Sequence, residues 1–127
     1  ITKCVYSNSL NMKSSNINVS NYLSRQSVFT SCLSVTPSEN IKFLKKSANI
    51  LVVGAGGLGC EVIKNLIMMG FRNIHIIDYD TIELTNLSRQ VLFSHDDIGR
   101  PKAIVAAEYI ARIAPDANIK GWIMYYK

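Results

Sequence analysis

The feature that most constrains this chain is a short apolar run that ends in a glycine-rich turn, Ile50-Leu-Val-Val53 followed by Gly54-Ala-Gly-Gly-Leu-Gly59. A continuous apolar run stopping at glycine is the pattern of a parallel strand buried on both faces. The apolar positions beyond the loop predict a helix from about Gly57 to Met69, with Leu58, Val62, Leu66 and Met69 on its packed stripe and Gly70 as its stop. Strand, glycine loop and helix together make a phosphate-binding unit. Gly54 permits the tight turn, Gly56 lets backbone approach a phosphate, Gly57 opens the helix, and Gly59 allows helix and strand to pack closely.

The alternation continues. Asn73 to Asp78 reads as a second strand whose last residue is acidic, 19 positions beyond Gly59, where a carboxylate reaches ribose hydroxyls. Pro101 opens a helix, expected in a third layer, that runs to about Ile113. Pro115 ends it, and Ile119 to Tyr126 reads as a third strand. The fold class is therefore α/β: a Rossmann-like βαβαβ unit, the N-terminal part of a doubly wound domain. Three strands with an unpaired edge point to a portion of a larger domain.

The chain before Asn49 is of another kind. Residues 1–18 are rich in Ser and Asn and lack the apolar density that repays ordering entropy, so disorder is expected there. Residues 19–48 form a helical lead-in, with Val19, Tyr22, Leu23, Val28 and Phe29 in one piece and Ile41, Phe43 and Leu44 in another. Pro37-Ser-Glu39 supplies the start signal of the second piece. Residues 49–127 are the nucleotide-binding unit. A transit segment is a lesser reading of the N-terminal stretch, because no arginine-rich amphipathic helix is evident.

The net charge of +5 would suggest nucleic acid if it were spread over the binding unit. It is not: residues 1–49 hold six bases against one acid, whereas residues 50–127 hold eight of each. No basic stripe or RNA-binding motif accompanies it, and nucleic acid is not an expected partner. No apolar run approaches the roughly 18 residues of a membrane span, so no membrane partner is expected either. Cys4, Cys32 and Cys60 form no C-x-x-C pair, which excludes a zinc ribbon and suits a reducing cytoplasm or nucleus.

A glycine loop with an acid after the second strand most often serves a nicotinamide or flavin. The residues beyond Asp78 argue for different chemistry. Asp80, Glu83, Asn86, Ser88, Arg89 and Gln90 crowd the carboxyl edge of the sheet, and Lys102 stands in the first turn of the next helix. A triphosphate brings about four negative charges to that edge, and attack on it needs cationic neutralisation. Taken singly, Arg89 and Lys102 could equally be surface charges paired with Glu83, Asp96 or Asp97.

With these residues in view, Ile50 to Ala107 resembles the adenylation domain of the ubiquitin-activating-enzyme (ThiF/MoeB-like) superfamily. The resemblance rests on the Gly-x-Gly-Gly-Leu-Gly loop, Asn86-Leu-Ser-Arg-Gln90 and Gly99-Arg-Pro-Lys-Ala103. Gly70-Phe-Arg-Asn-Ile-His75, Asp80-Thr-Ile-Glu-Leu-Thr-Asn86 and Asp97 to Glu108 are similar to the neddylation-activating branch in particular. The resemblance implies ATP with Mg2+, adenylation of a Nedd-type ubiquitin-like protein, and transfer to a cysteine as a thioester. It implies Gly54, Gly56, Gly57 and Gly59 at the phosphates, Asp78 at the ribose, and Asn86, Arg89 and Lys102 at the phosphates, the last two as catalytic groups. Its expected partners are an adenylation-like subunit in a heterodimer, which contributes an arginine, and a downstream conjugating enzyme. The magnesium-binding Asp, zinc-binding cysteines and catalytic cysteine lie further along in relatives, so the chain by itself is expected to be inactive. An NAD-dependent oxidoreductase, supported only by the loop and Asp78, and a non-catalytic adenylation-like scaffold subunit are the alternatives. Cys60, His75 and His95 are read as structural or solvated, and Met68, Met69 and Trp122 as packing residues.

Overall fold

A computed structural model describes residues 36–125. The expectations for residues 1–18, for the first helical piece and for Tyr126 lie outside them. Thr36 opens the described chain as a helix cap: its hydroxyl accepts from Glu39 N, and the Glu39 carboxylate accepts from Thr36 N at 2.9 Å. This reciprocal capping satisfies donors that a helix start leaves free. Helix α1 (Pro37–Lys42) passes into a wider π-type turn over Phe43–Ser47 and delivers the chain to strand β1 (Asn49–Val53).

Helix α2 (Gly57–Met69), strand β2 (Asn73–Ile77), helix α3 (Lys102–Ile113) and strand β3 (Asn118–Trp122) come next. The three strands are parallel in the order β1-β2-β3. Their register makes alternating rows. Ile50, Ile74 and Ile119 share one row, and Val52, Ile76 and Gly121 the next row on the same face. Against this face pack Cys60, Ile63 and Ile67 of α2 and Ala103, Ala106, Ala107 and Ile110 of α3. Each fully buried isoleucine here contributes about 1.5–3 kcal/mol relative to leaving it in water.

Several expectations need correction. Among the described residues strand β1 is covered on one face only: Leu51 and Val53 are 58% and 54% exposed. Successive crossovers of one hand between sequentially ordered strands put α2 and α3 on the same side, so α3 belongs to the layer of α2 and forms no third one. The packed stripe of α2 is also different from the predicted one. Leu66 packs against the core as expected, but Leu58 is 81% exposed and Val62, Met68 and Met69 also face outward, while Cys60, Ile63 and Ile67 are buried. The reason is Gly59: a Cβ there would run into the Gly54 carbonyl, so this side of the helix lies against the turn. Strand β2 ends one residue before Asp78, and β3 ends at Trp122, short of the predicted Tyr126.

Among the described residues no helix is long and apolar enough to cross a membrane. His75 is half-buried on the uncovered face, where its Nδ1 accepts the Trp122 indole N–H at 3.1 Å. That bond and the stacked rings give both residues a packing role.

Candidate nucleotide site

The three strands deliver the candidate residues to their common carboxyl end. Gly54 takes φ +94°, a left-handed conformation that favours glycine, and its N–H donates to Ile77 O at 2.7 Å as the last rung beside β2. Ala55, fully buried, donates its N–H to Asp78 Oδ2 at 2.6 Å. Asp78 Oδ1 accepts from Asp80 N at 2.8 Å. One carboxylate thus ties the glycine loop to the chain leaving β2. Both Asp78 oxygens serve the protein's own backbone, and each retains a lone pair for a ligand hydroxyl.

Gly56 caps α2, whose first N–H groups open toward the loop. Its φ of −76° is accessible to any residue, and nothing lies within 4 Å of where its Cβ would be. Neither backbone strain nor a protein neighbour accounts for glycine at this position. The open space suits a phosphate drawn to the helix N-terminus. Beside it, a Cβ on Gly57 would meet the carbonyl oxygen of Arg89 at 3.4 Å and its Cγ at 3.7 Å. Arg89 is therefore packed against the glycine loop, although 32 positions separate it from Gly57.

The segment from Glu83 to Gln90 achieves this by folding on itself. Asn86 is buried and its Oδ1 accepts from Glu83 N at 3.0 Å, while its own carbonyl accepts from Arg89 N and Gln90 N. Asn86 shapes the loop with its oxygen, and its Nδ2 has no acceptor among the described residues. The Arg89 guanidinium donates to Thr85 O at 2.9 Å and has no carboxylate partner among the described residues. Gln90 turns inward and is nearly fully buried.

Lys102 reaches the same edge from α3. Thr81 and Pro101 form an antiparallel bridge, Ile82 N donates to Arg100 O, Gly99 N to Ile82 O, and Lys102 N to Asp80 O at 3.0 Å. This short ladder fixes the start of α3 against the segment beyond Asp78. The Lys102 side chain is 9% exposed, and its Nζ lies 3.0 Å from Asp80 Oδ2. The ion pairs anticipated for Arg89 and Lys102 with Glu83, Asp96 or Asp97 do not form among the described residues. It is Arg100 that binds Asp97, at 2.9 Å, and Glu108, at 2.6 Å. Burial raises the Asp97 carboxyl, but donors from Ser94 and the Arg100 guanidinium outweigh it and hold the group below the usual carboxylate range.

Cys60 is fully buried and its thiol donates to Ala55 O at 3.4 Å. Burial pushes this thiol up, away from the thiolate a nucleophile needs. The pairing of Asp80 with Lys102 and the part played by Gly121 were not evident in the sequence. A Cβ on Gly121 would run into the Ala103 carbonyl, so glycine there lets α3 settle on β3.

With this geometry in view, the chain matches the profile of a known family, described as "ThiF family", over residues 19–124. The chain belongs to the ThiF family. Among similar proteins is the Drosophila melanogaster Nedd8-activating enzyme E1 catalytic subunit, 48% identical over 99 residues, which are 78% of this chain and 22% of that protein. The Saccharomyces cerevisiae NEDD8-activating enzyme E1 catalytic subunit is 59% identical over 71 residues, 55% of this chain and 24% of that protein. The fold also matches the crystal structure of E. coli MccB with ATP, with a TM-score of 0.66 and 32% identity over 72% of this chain and 27% of that one. This ThiF-family chain therefore spans about a quarter of the length of these relatives.

Proposed function

We propose that this chain is the nucleotide-binding portion of an enzyme that activates a ubiquitin-like modifier of the Nedd type, adenylating the modifier's C-terminal carboxylate with ATP. The observation that carries the reading is the open space over Gly56, flanked by Arg89 on Gly57 and accompanied at the same edge by the buried Lys102. In the reaction a carboxylate oxygen attacks the α-phosphorus of ATP, the bond from that phosphorus to the β-phosphate bridging oxygen breaks, and pyrophosphate departs with the electron pair. The carboxylate is already ionised at neutral pH, so the first step needs no general base. Its main demand is electrostatic, and a preorganised cation in a water-poor site answers it better than a solvated one.

In this reading the loop N–H groups hold phosphate, Asp78 holds the ribose, and Asn86 Nδ2, Arg89 and Lys102 receive the charge that moves toward pyrophosphate. Loss of Arg89 or Lys102 lowers adenylation about 10²-fold, the scale of removing one such group. Bound Mg2+ supplies further neutralisation of the phosphate oxygens. In this reading the magnesium-binding Asp lies outside this stretch, as the family resemblance implies. The adenylate then passes its acyl group to a cysteine outside this stretch. A heterodimeric adenylation-like subunit and a conjugating enzyme are the partners that go with this activity. Cysteines without paired spacing go with a cytosolic or nuclear location.

The test is ATP–pyrophosphate exchange by the full-length protein with its partner subunit, offered Nedd, ubiquitin and Sumo-type modifiers separately. Exchange with the Nedd-type modifier alone, lost in Arg89→Ala, is expected. No exchange with any modifier, together with tight NADH binding, returns the chain to the oxidoreductases. No exchange and no binding of either nucleotide leaves a scaffold subunit.

A further inference from the structure

Lys102 occupies an unfavourable place for a free cation. It is the first residue of α3, where the helix dipole presents partial positive charge, and the first turn of that helix carries no acidic residue. Its side chain is nearly buried. Arg100, two residues earlier, adds a second positive charge nearby, and that charge is already matched by Asp97 and Glu108. Among the described residues the one carboxylate in ion-pair contact with Lys102 is Asp80, whose side chain is 67% exposed.

The pair is asymmetric, and the asymmetry decides what it can do. Two buried ions make a fixed bridge that is costly to open, and two exposed ions make a surface pair worth little. Here the anion can return to water at low cost, while the cation cannot remain in place without an anion. The backbone of Asp80 is held independently of its side chain, by Asp80 N to Asp78 Oδ1 at 2.8 Å and Lys102 N to Asp80 O at 3.0 Å. The carboxylate is thus free to leave without unmaking the ladder that carries it.

We propose that Asp80 is the resident counter-ion of Lys102: it holds the buried ammonium in position while the site is empty and cedes it to the nucleotide phosphates on binding. The inference rests on the nucleotide reading of the site and adds a positioning residue to it. Asp80 acts through Lys102, and its charge opposes the incoming triphosphate until Lys102 changes partner.

The experiment acylates the full-length protein, with its partner subunit, using a water-soluble succinimidyl acetate, and reads each lysine by peptide mass spectrometry. Exposed Lys46 serves as the internal reference. In the wild type without nucleotide, Lys102 is expected to react slowly. Asp80→Asn, isosteric but uncharged, raises the Lys102-to-Lys46 ratio about tenfold as the ammonium turns to solvent, the scale of losing one charge-assisted hydrogen bond. Asp80→Glu restores protection, which a general loss of structure would not allow. In pyrophosphate exchange Asp80→Asn lowers kcat without raising the KM for ATP, since the competing anion has been removed. An unchanged ratio in Asp80→Asn, or a raised KM for ATP, overturns the proposal. The reading beneath it fails separately: if ATP does not protect Lys102 in Asp80→Asn, Lys102 does not meet the phosphates, whatever the wild-type pair does.

Discussion

Alanine at Gly56 and alanine at Gly59 should fail in opposite ways. At Gly56 the backbone, at φ −76° and ψ −163°, accepts alanine without strain, and the added Cβ meets nothing within 4 Å. Replacing glycine at a helix cap by alanine costs roughly 0.5–1 kcal/mol in capping. Restricting the unfolded chain returns about 0.4–1 kcal/mol. These offset, so the melting temperature of the full-length protein should move by no more than about 2 °C. The Cβ nevertheless stands where a phosphate would approach, and removing close backbone donation to it should weaken ATP binding about 10²-fold, or ~2.7 kcal/mol. Gly59→Ala drives its Cβ into the Gly54 carbonyl, backbone against backbone, and should cost about 1–3 kcal/mol as the helix is pushed off the turn. Thermal melting with and without ATP, alongside equilibrium ATP titration, separates the two. A Gly56→Ala protein of wild-type stability and wild-type ATP affinity would refute the assignment of that space to phosphate.

Arg72 is 3% exposed and donates to Asp116 at 2.9 Å and to the carbonyls of Ile67 and Phe71 at 3.1 and 3.0 Å, so Arg72→Met should destabilise by about 2–3 kcal/mol. Lysine at this position should not rescue it in chemical denaturation, because a single ammonium cannot reproduce the forked contact. The depressed Asp97 carboxyl contributes stability that is fully present above its ordinary value of 3.8 and is lost as pH falls through its lower folded value. Ser94→Ala, which removes one of its donors at 2.7 Å, should flatten that acid limb; an unchanged limb in denaturation monitored from neutral pH downward would show that Asp97 does not set it.

How much could be read in advance depends on the range of the forces involved. The glycine loop was legible because its requirements are local: a left-handed turn at Gly54 and a close approach at Gly59 leave their mark in residue type. The alternation of strand and helix was legible for the same reason. The buried face of α2 was legible only in part: Leu66 packs on the core as expected, but Leu58, Val62 and Met69 make as good a stripe with it as Cys60, Ile63 and Ile67 do. A contact across the turn chose between them. Burial of β1 on two faces was inferred from its continuous apolar run, but the side on which each crossover lands decides what is covered. The part of Asp80 was hidden because its significance lies in Lys102, 22 positions away, and that of Gly121 because only the arrival of α3 makes its missing side chain necessary.

The most direct test of adenylation tracks one oxygen atom. The full-length protein, with its partner subunit and ATP, is given a Nedd-type modifier whose C-terminal carboxylate carries oxygen-18, and the AMP formed with the thioester is analysed by mass spectrometry. Attack by the carboxylate on the α-phosphate leaves one labelled oxygen in AMP when the acyl group moves to the cysteine, and that is the predicted result. AMP free of label, or thioester formed with release of ADP, would contradict it.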